Sequence, residues 1–410
     1  VSTLPAWRPA ATIGATYLAQ GLVAYLGVIM VGMLAQLGTP LEQQVGLLAS
    51  GALPWALKFA FALLLDLRPL VSLRVRALAA ALLLASASVG MATLARAWAS
   101  GHASELGLVA WVWLASNFAL ALLDVLADAL ALERLADRRA LAATCMGLGH
   151  ALGFGVIGPL GLLELVLHEG LAPALQRGAV MVGVLALVPL VTFVAEPHPT
   201  TREPSATTAD STPISPWPAL AALVLCIVAM LGPNVTGALA SEFLFAALHW
   251  EFADFAAILL PLGAIAGLIG ALLAGLAVAR RGPAHAAAWM AALLGLAWLA
   301  FAAASPQWSA AWTLRWLAAS EGALQAALLV CLHALALQHA GPSFAITRFV
   351  TMMAALNLPR VLGPMLAPSL VGLGWVAVFA GCGAASLLAA GGLALLARAA
   401  PGIRDARGIH

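Results

Sequence analysis

Lys58 is the only lysine in the chain, and it lies in the apolar run Leu53-Pro54-Trp55-Ala56-Leu57-Lys58-Phe59. An ammonium near the centre of a bilayer costs roughly 2.5–3.5 kcal/mol on insertion scales, so it persists only where a partner or a task holds it. Either the side chain pairs inside a helical bundle or its stem carries the charge out to the interface. Asp66, two turns further along the same run, argues for the interior. A partner stands in Leu123-Asp124-Val125-Leu126-Ala127-Asp128, where two carboxylates four residues apart share one helix face. Counted from their helix ends, Lys58 and Asp124 are each about eight residues deep, roughly 12 Å at 1.5 Å per residue, a match that permits an ion pair and leaves open whether it forms. Two adjacent carboxylates do not readily ionise together, which makes Asp124 and Asp128 candidates for binding and releasing a proton. For Asp128 an interfacial salt-bridge net with Glu133, Arg134 and Arg139 is the alternative.

A second intramembrane charge occurs in Asn357-Leu358-Pro359-Arg360-Val361-Leu362-Gly363-Pro364. A guanidinium keeps its proton and therefore needs an anion or a cluster of carbonyls. Two partners are open, an anionic group on a bound solute or Glu321. Prolines 359 and 364 free backbone carbonyls, which membrane helices tolerate where a cavity or another group satisfies them. Asn117, Asn234 and Asn357 are further polar candidates, either facing a solute or bridging helices. With Lys58, Arg360 and Glu321 they form the expected substrate-binding set. Trp308, Trp312 and Trp316 follow helical spacing and suit either a stacking wall or an interfacial aromatic belt. His150, His333 and His339 lack ligand spacing, and Cys145, Cys226, Cys331 and Cys382 lack CxxC spacing, so neither a metal nor another cofactor is expected.

Holding these charges requires a membrane scaffold. Of 410 residues, 63% are hydrophobic and 9% charged, where a soluble domain carries about 25% charged residues. Apolar stretches of the roughly 20 residues needed to cross a bilayer recur throughout, too long and too Leu/Ala-rich for a β-barrel. The expectation is an all-α integral membrane protein with twelve helices, near 10–36, 46–66, 74–97, 107–132, 141–167, 176–195, 217–240, 252–279, 285–304, 310–338, 347–371 and 374–399. The first apolar run shows no small-residue cleavage site and is expected to remain as a helix. The polar stretch Glu196 to Pro216 splits the chain into a six-helix bundle over 1–195, a cytoplasmic linker over 196–216, a second bundle over 217–399 and a cytoplasmic tail over 400–410.

Arginines concentrate on one side, at Arg8, Arg68, Arg74, Arg76, Arg134, Arg138, Arg139, Arg202, Arg280, Arg281, Arg398, Arg404 and Arg407, while the opposite loops hold mostly Glu42, Glu105, Glu169, Glu242 and Glu251, with Arg177 and Arg315 as exceptions near helix ends. By the positive-inside rule both termini are expected to be cytoplasmic. Asp66 with Arg68, and Arg280 with Arg281, lie in short cytoplasmic loops that resemble, in degenerate form, the Asp/Arg loop motif of the major facilitator superfamily, and the resemblance implies a gate there. Glycine pairs Gly149/Gly153 and Gly263/Gly267 permit close helix approach, either within ordinary packing or where the halves meet. The net charge of +2 and the absence of a basic run leave nucleic acid out of the expected partners.

Two six-helix halves around a cytoplasmic linker resemble the major facilitator superfamily, whose halves are parallel repeats about a central site. Leu53-Pro54-Trp55 with Lys58-Phe59 and Asp66, then Asp124 and Asp128 with Glu133, Asp137 and Arg138, then Arg360-Val361 and Gly363-Pro364 ahead of Gly374-Trp375, resemble one branch of it. That branch contains the AmpG muropeptide permeases, the acetyl-CoA transporters and the folate–biopterin transporters. The chain departs from the permease pattern at Leu123 and in Gly149-His150-Ala151-Leu152-Gly153. The resemblance implies a monomeric, multi-pass protein of the bacterial inner membrane. Its activity would be proton-coupled symport of an organic, anionic solute such as a muropeptide-like compound, with no enzymatic chemistry. Alternative roles on the same fold are a non-transporting assembly factor or sensor, and an exporter of a small amphipathic compound.

Overall fold

In the bilayer every backbone N–H and C=O must be satisfied within its own segment, and runs of Leu and Ala do this most readily as helices. The computed structural model describes residues 5, 7–67, 72–101, 106–135, 138–193, 217–340 and 344–399. The expected linker and tail, with Arg68, Glu105 and Asp137, lie outside the described residues. Among the described residues there is no strand, and twelve helices are long and apolar enough to cross a membrane. They are α1 (Trp7–Gln36), α2 (Leu41–Leu67), α3 (Arg74–Ala99), α4 (Leu106–Arg134), α5 (Leu141–His168), α6 (Leu171–Thr192), α7 (Trp217–Ala247), α8 (Phe252–Arg281), α9 (Pro283–Ala303), α10 (Ala311–His339), α11 (Ala345–Val371) and α12 (Trp375–Ala399). In the first bundle α1 packs on α5, and α3 on α4 and α6; in the second, α8 packs on α10, and α9 on α10 and α12. The two bundles meet where α2 lies along α11 and where α5 meets α8 and α10.

The two helices facing each other across that seam are both interrupted. The second helix pauses at Lys58, one turn beyond Pro54, and its partner pauses at Leu358, next to Pro359. Proline has no N–H for the ladder, so each break leaves polar backbone near mid-membrane. Three further helices carry one π-helical turn each, at Gly153–Ile157, Glu242–Ala247 and Phe255–Leu259. Each such turn inserts an extra residue and re-aims the side chains after it.

Small residues set the closest approaches, and their partners differ from the seam reading of the sequence. Gly149 abuts the Gly14 carbonyl, and Gly153 lies against Leu18 and Gly21, both on α1 of the same bundle. Gly263 and Gly267 lie against the carbonyls of Ala318 and Gly322 on α10, again within one bundle. The glycines that meet the other bundle include Gly32 against Phe252, Gly147 against Val330, and Gly155, where a Cβ would come 2.9 Å from the Ala264 Cβ of α8. Gly282, at φ 80°, makes the tight turn between Arg281 and Pro283 that returns the chain into α9.

The tryptophan series also divides. The tenth helix begins at Ala311, after a 3₁₀ turn over Ser305–Gln307, so Trp308 is off the helix. It is buried, donates Nε1–H to the Phe301 carbonyl at 2.8 Å, and stacks on the Phe301 ring at 5.1 Å. Trp312 and Trp316 are exposed on the outer surface, as a lipid-facing belt requires.

Candidate functional site

The break in α2 delivers Lys58 into the interior of the first bundle, where it is 0% exposed, so its ammonium does not reach the interface. Two carboxylates receive it. Lys58 Nζ donates to Asp124 Oδ2 and, at 3.1 Å, to Asp128 Oδ2. The i to i+4 spacing on α4 is what aims both acids at one cation. The remaining oxygens are also engaged: Gln20 Nε2 donates to Asp124 Oδ1 at 2.8 Å, and the Tyr17 hydroxyl donates to Asp128 Oδ1 at 3.1 Å. Asp128 is therefore buried at 0% exposure and is not part of an interfacial net. Glu133 instead pairs with Arg76 at 2.8 Å. The cluster draws on α1, α2 and α4, and with both acids ionised it carries one negative charge in excess.

Above this cluster, between the bundles, lies a cavity of about 500 Å³, within the range of small-molecule sites, which run from about 300 to 1,000 Å³. Asp124, Tyr17 and Gln20 reach its wall, whereas Lys58 and Asp128 stay behind it. Trp55 and Asn117 line the same side, joined by a bond of 3.1 Å from Trp55 Nε1 to Asn117 Oδ1. His150 and His333, isolated in sequence, also meet on this cavity from opposite bundles. Among the described residues no group of His, Cys, Asp and Glu is arranged to hold a metal ion.

The second bundle contributes Arg360, Glu321, Asn234 and Asn357 to the wall. The sequence left Arg360 and Glu321 open to pair with each other, and they do not. Glu321 Oε1 accepts from Thr236 Oγ1 at 2.6 Å and from Gln325 Nε2 at 2.8 Å. Among the described residues Arg360 makes no hydrogen bond and no ion pair. A charge thus faces the cavity with its own valence unspent. Phe243, Trp375 and Phe379 form an apolar end to the chamber, Phe243 and Trp375 with ring centroids 5.0 Å apart. Tyr17, Gln20, Thr236 and Gln325 escaped the sequence reading; polar residues at helical spacing in apolar runs, such as Tyr17 with Gln20, were the available signal.

The halves are also fastened at both ends of the cavity. At the arginine-rich end Asp66 Oδ2 accepts from Thr347 N at 2.7 Å and from Thr347 Oγ1 at 2.6 Å. Thr347 is in the first turn of α11, so the carboxylate both caps that helix and meets its positive end. At the opposite end Ser241 Oγ donates to Gln44 Oε1 at 2.9 Å. Arg281 stacks over Trp289 at 5.6 Å, and neither Arg280 nor Arg281 makes an ion pair among the described residues. Among the described residues of the expected gate, Asp66 bridges the halves in this conformation. Asp66→Ala is expected to remove about 1 kcal/mol of cap energy and so to shift the open/closed ratio at this end roughly fivefold. Spin-label distances between the exposed positions Leu67 and Phe344 report that shift, and an unchanged distance distribution would count against the latch.

No family model and no curated protein sequence matches the chain. Among solved structures it superposes on a mutant form of the nucleoside transporter NupG with a TM-score of 0.63, covering 96% of this chain and 98% of that one at 14% sequence identity. The likeness is one of fold: twelve membrane-spanning helices arranged in the major facilitator manner.

Proposed function

We propose that this chain is a proton-coupled secondary transporter, a symporter in the cytoplasmic membrane whose solute carries an anionic group. The observation that carries the reading is the pairing of two sites on one cavity. Arg360 faces the chamber without an ion pair among the described residues, and Asp124 reaches the same chamber from a buried cluster with one negative charge in excess. An excess charge buried in low dielectric is costly. A single proton removes it. Solute on Arg360 and proton on the acids then make the loaded carrier the form best suited to crossing between its two orientations.

The fold neighbour's name specifies nucleosides. A neutral nucleoside would leave Arg360 unpaired, so nucleosides serve as the comparison class. Muropeptide-type anhydrosugar peptides, pterins and dicarboxylates are the anionic candidates. The test is internal acidification of proteoliposomes containing the full chain, followed with a trapped pH dye as each solute is added outside. An anionic class is expected to drive proton entry, and nucleosides are not. Arg360→Ala is expected to raise the solute concentration needed by about 10- to 100-fold, the worth of a charge-assisted hydrogen bond. Proton entry with no solute class, or an Arg360→Ala response equal to wild type, would overturn the proposal.

A further inference from the structure

We propose that the solute is a zwitterion, whose anionic group binds Arg360 and whose protonated amine binds Glu321 and Asn234. This rests on the solute site assigned above and specifies which solutes it admits. Two amide acceptors and one carboxylate on the second-bundle wall have capacity left for donors. Glu321 accepts from Thr236 and Gln325 on Oε1 and has the Trp298 indole N–H beside it, and its carboxylate still has lone pairs for a further donor. The amide nitrogens of Asn234 and Asn357 are spent on the carbonyls of Met230 and Met353, at 2.7 and 2.9 Å, so each Oδ1 is left over. An ammonium brings three N–H donors and no acceptor, the complement of such a wall. A solute that is only an anion satisfies Arg360 and adds acceptors to a surface already short of donors.

The spacing suits a compact molecule. Gly363 abuts the Asn234 backbone, where a Cβ would come 2.7 Å from its carbonyl carbon. Arg360 precedes Gly363 by three residues, about 4.5 Å of helix rise. Glu321 is tied to Thr236, two residues beyond Asn234 on α7. Along the helix axes Asn234 thus lies within about one turn of Arg360, and the residue that holds Glu321 lies about 7.5 Å of rise from it. Charge accounting agrees. With imidazoles neutral, Lys58, Asp124 and Asp128 sum to −1, and Arg360 with Glu321 to 0. One proton brings the chamber to 0; a zwitterion leaves it there, whereas a monoanion returns it to −1.

The test is thermal stabilisation of the purified full chain by matched probe sets. Amino acids, dipeptides and tripeptides are each supplied as the free zwitterion, the N-acetylated anion and the C-terminal carboxamide. At least one free zwitterion is expected to bind about tenfold or more tightly than both of its blocked forms. Glu321→Gln should weaken amine-bearing probes and spare N-acetylated ones, where a structural role would weaken all alike. Thr236→Val, which removes the hydroxyl holding Glu321, is the second variant and should shift the same preference. Equal binding of N-acetylated and free forms, or no stabilisation by any free zwitterion, would overturn the inference. Proton entry driven by N-acetylated anions alone would sink the zwitterion and leave the symport proposal standing. Zwitterion binding without solute-linked proton entry would do the reverse.

Discussion

Lys58→Met is expected to cost the folded protein about 3–5 kcal/mol, the usual penalty for removing one partner of a buried ionic group. Methionine fills nearly the same volume, so the loss is electrostatic more than steric. Asp124 and Asp128 each give one oxygen to the ammonium, and their other oxygens are held by Gln20 and Tyr17. Without Lys58 two carboxylates would face each other in a dry bundle, and they must bind protons or admit water to survive there. Neutralising all three positions, with Lys58→Met, Asp124→Asn and Asp128→Asn together, should return most of the stability, because no unpaired charge remains. Thermal unfolding of the detergent-solubilised proteins decides it. A single Lys58→Met variant that unfolds with the wild type would show that the ammonium holds nothing together.

That cluster was legible in the sequence for a physical reason. A lone lysine and a pair of acids at i and i+4 are too costly in lipid to be incidental, and residue depth along each helix can be counted from the chain. Depth does not give rotation, and the sequence therefore left the partner of Arg360 open. Arg360 and Glu321 stood at plausible positions for a pair, yet Glu321 turns to Thr236 and Gln325. The same limit applies to the glycine pairs. Their spacing announces a close approach, but whether α1 or α8 makes it depends on a packing arrangement that no local pattern encodes. For Trp308, Trp312 and Trp316 the helix start was expected at 310 and is found at Ala311, so the helical period holds for Trp312 and Trp316 and does not extend back to Trp308. Twelve spans were readable because length and hydropathy act locally; the π turns that shape the cavity were not, since an inserted residue leaves the apolar pattern intact.

The division of labour inside the cluster leads to the second large effect. Asp124 touches the cavity and Asp128 does not, although both hold Lys58. Asp124→Asn leaves Lys58 with one acid, so the cluster becomes permanently neutral, as it would be with a proton bound. Such a carrier is expected to exchange solute freely and to lose its link to the proton gradient. One pH unit is worth 1.36 kcal/mol, so a carrier coupled to one proton can hold about a tenfold solute gradient. For Asp124→Asn the accumulation ratio should fall from about ten to one while counterflow continues. Asp128→Asn should uncouple in the same way through loss of the second acid, but with less change in solute affinity, because its carboxylate lies behind the wall beside Tyr17. The measurement is accumulation and counterflow, in the same vesicles, of a solute that acidifies wild-type liposomes. Accumulation by Asp124→Asn and Asp128→Asn at the wild-type ratio would mean that the proton travels elsewhere. Glu321, the other acid on the cavity, would then be the group to neutralise next.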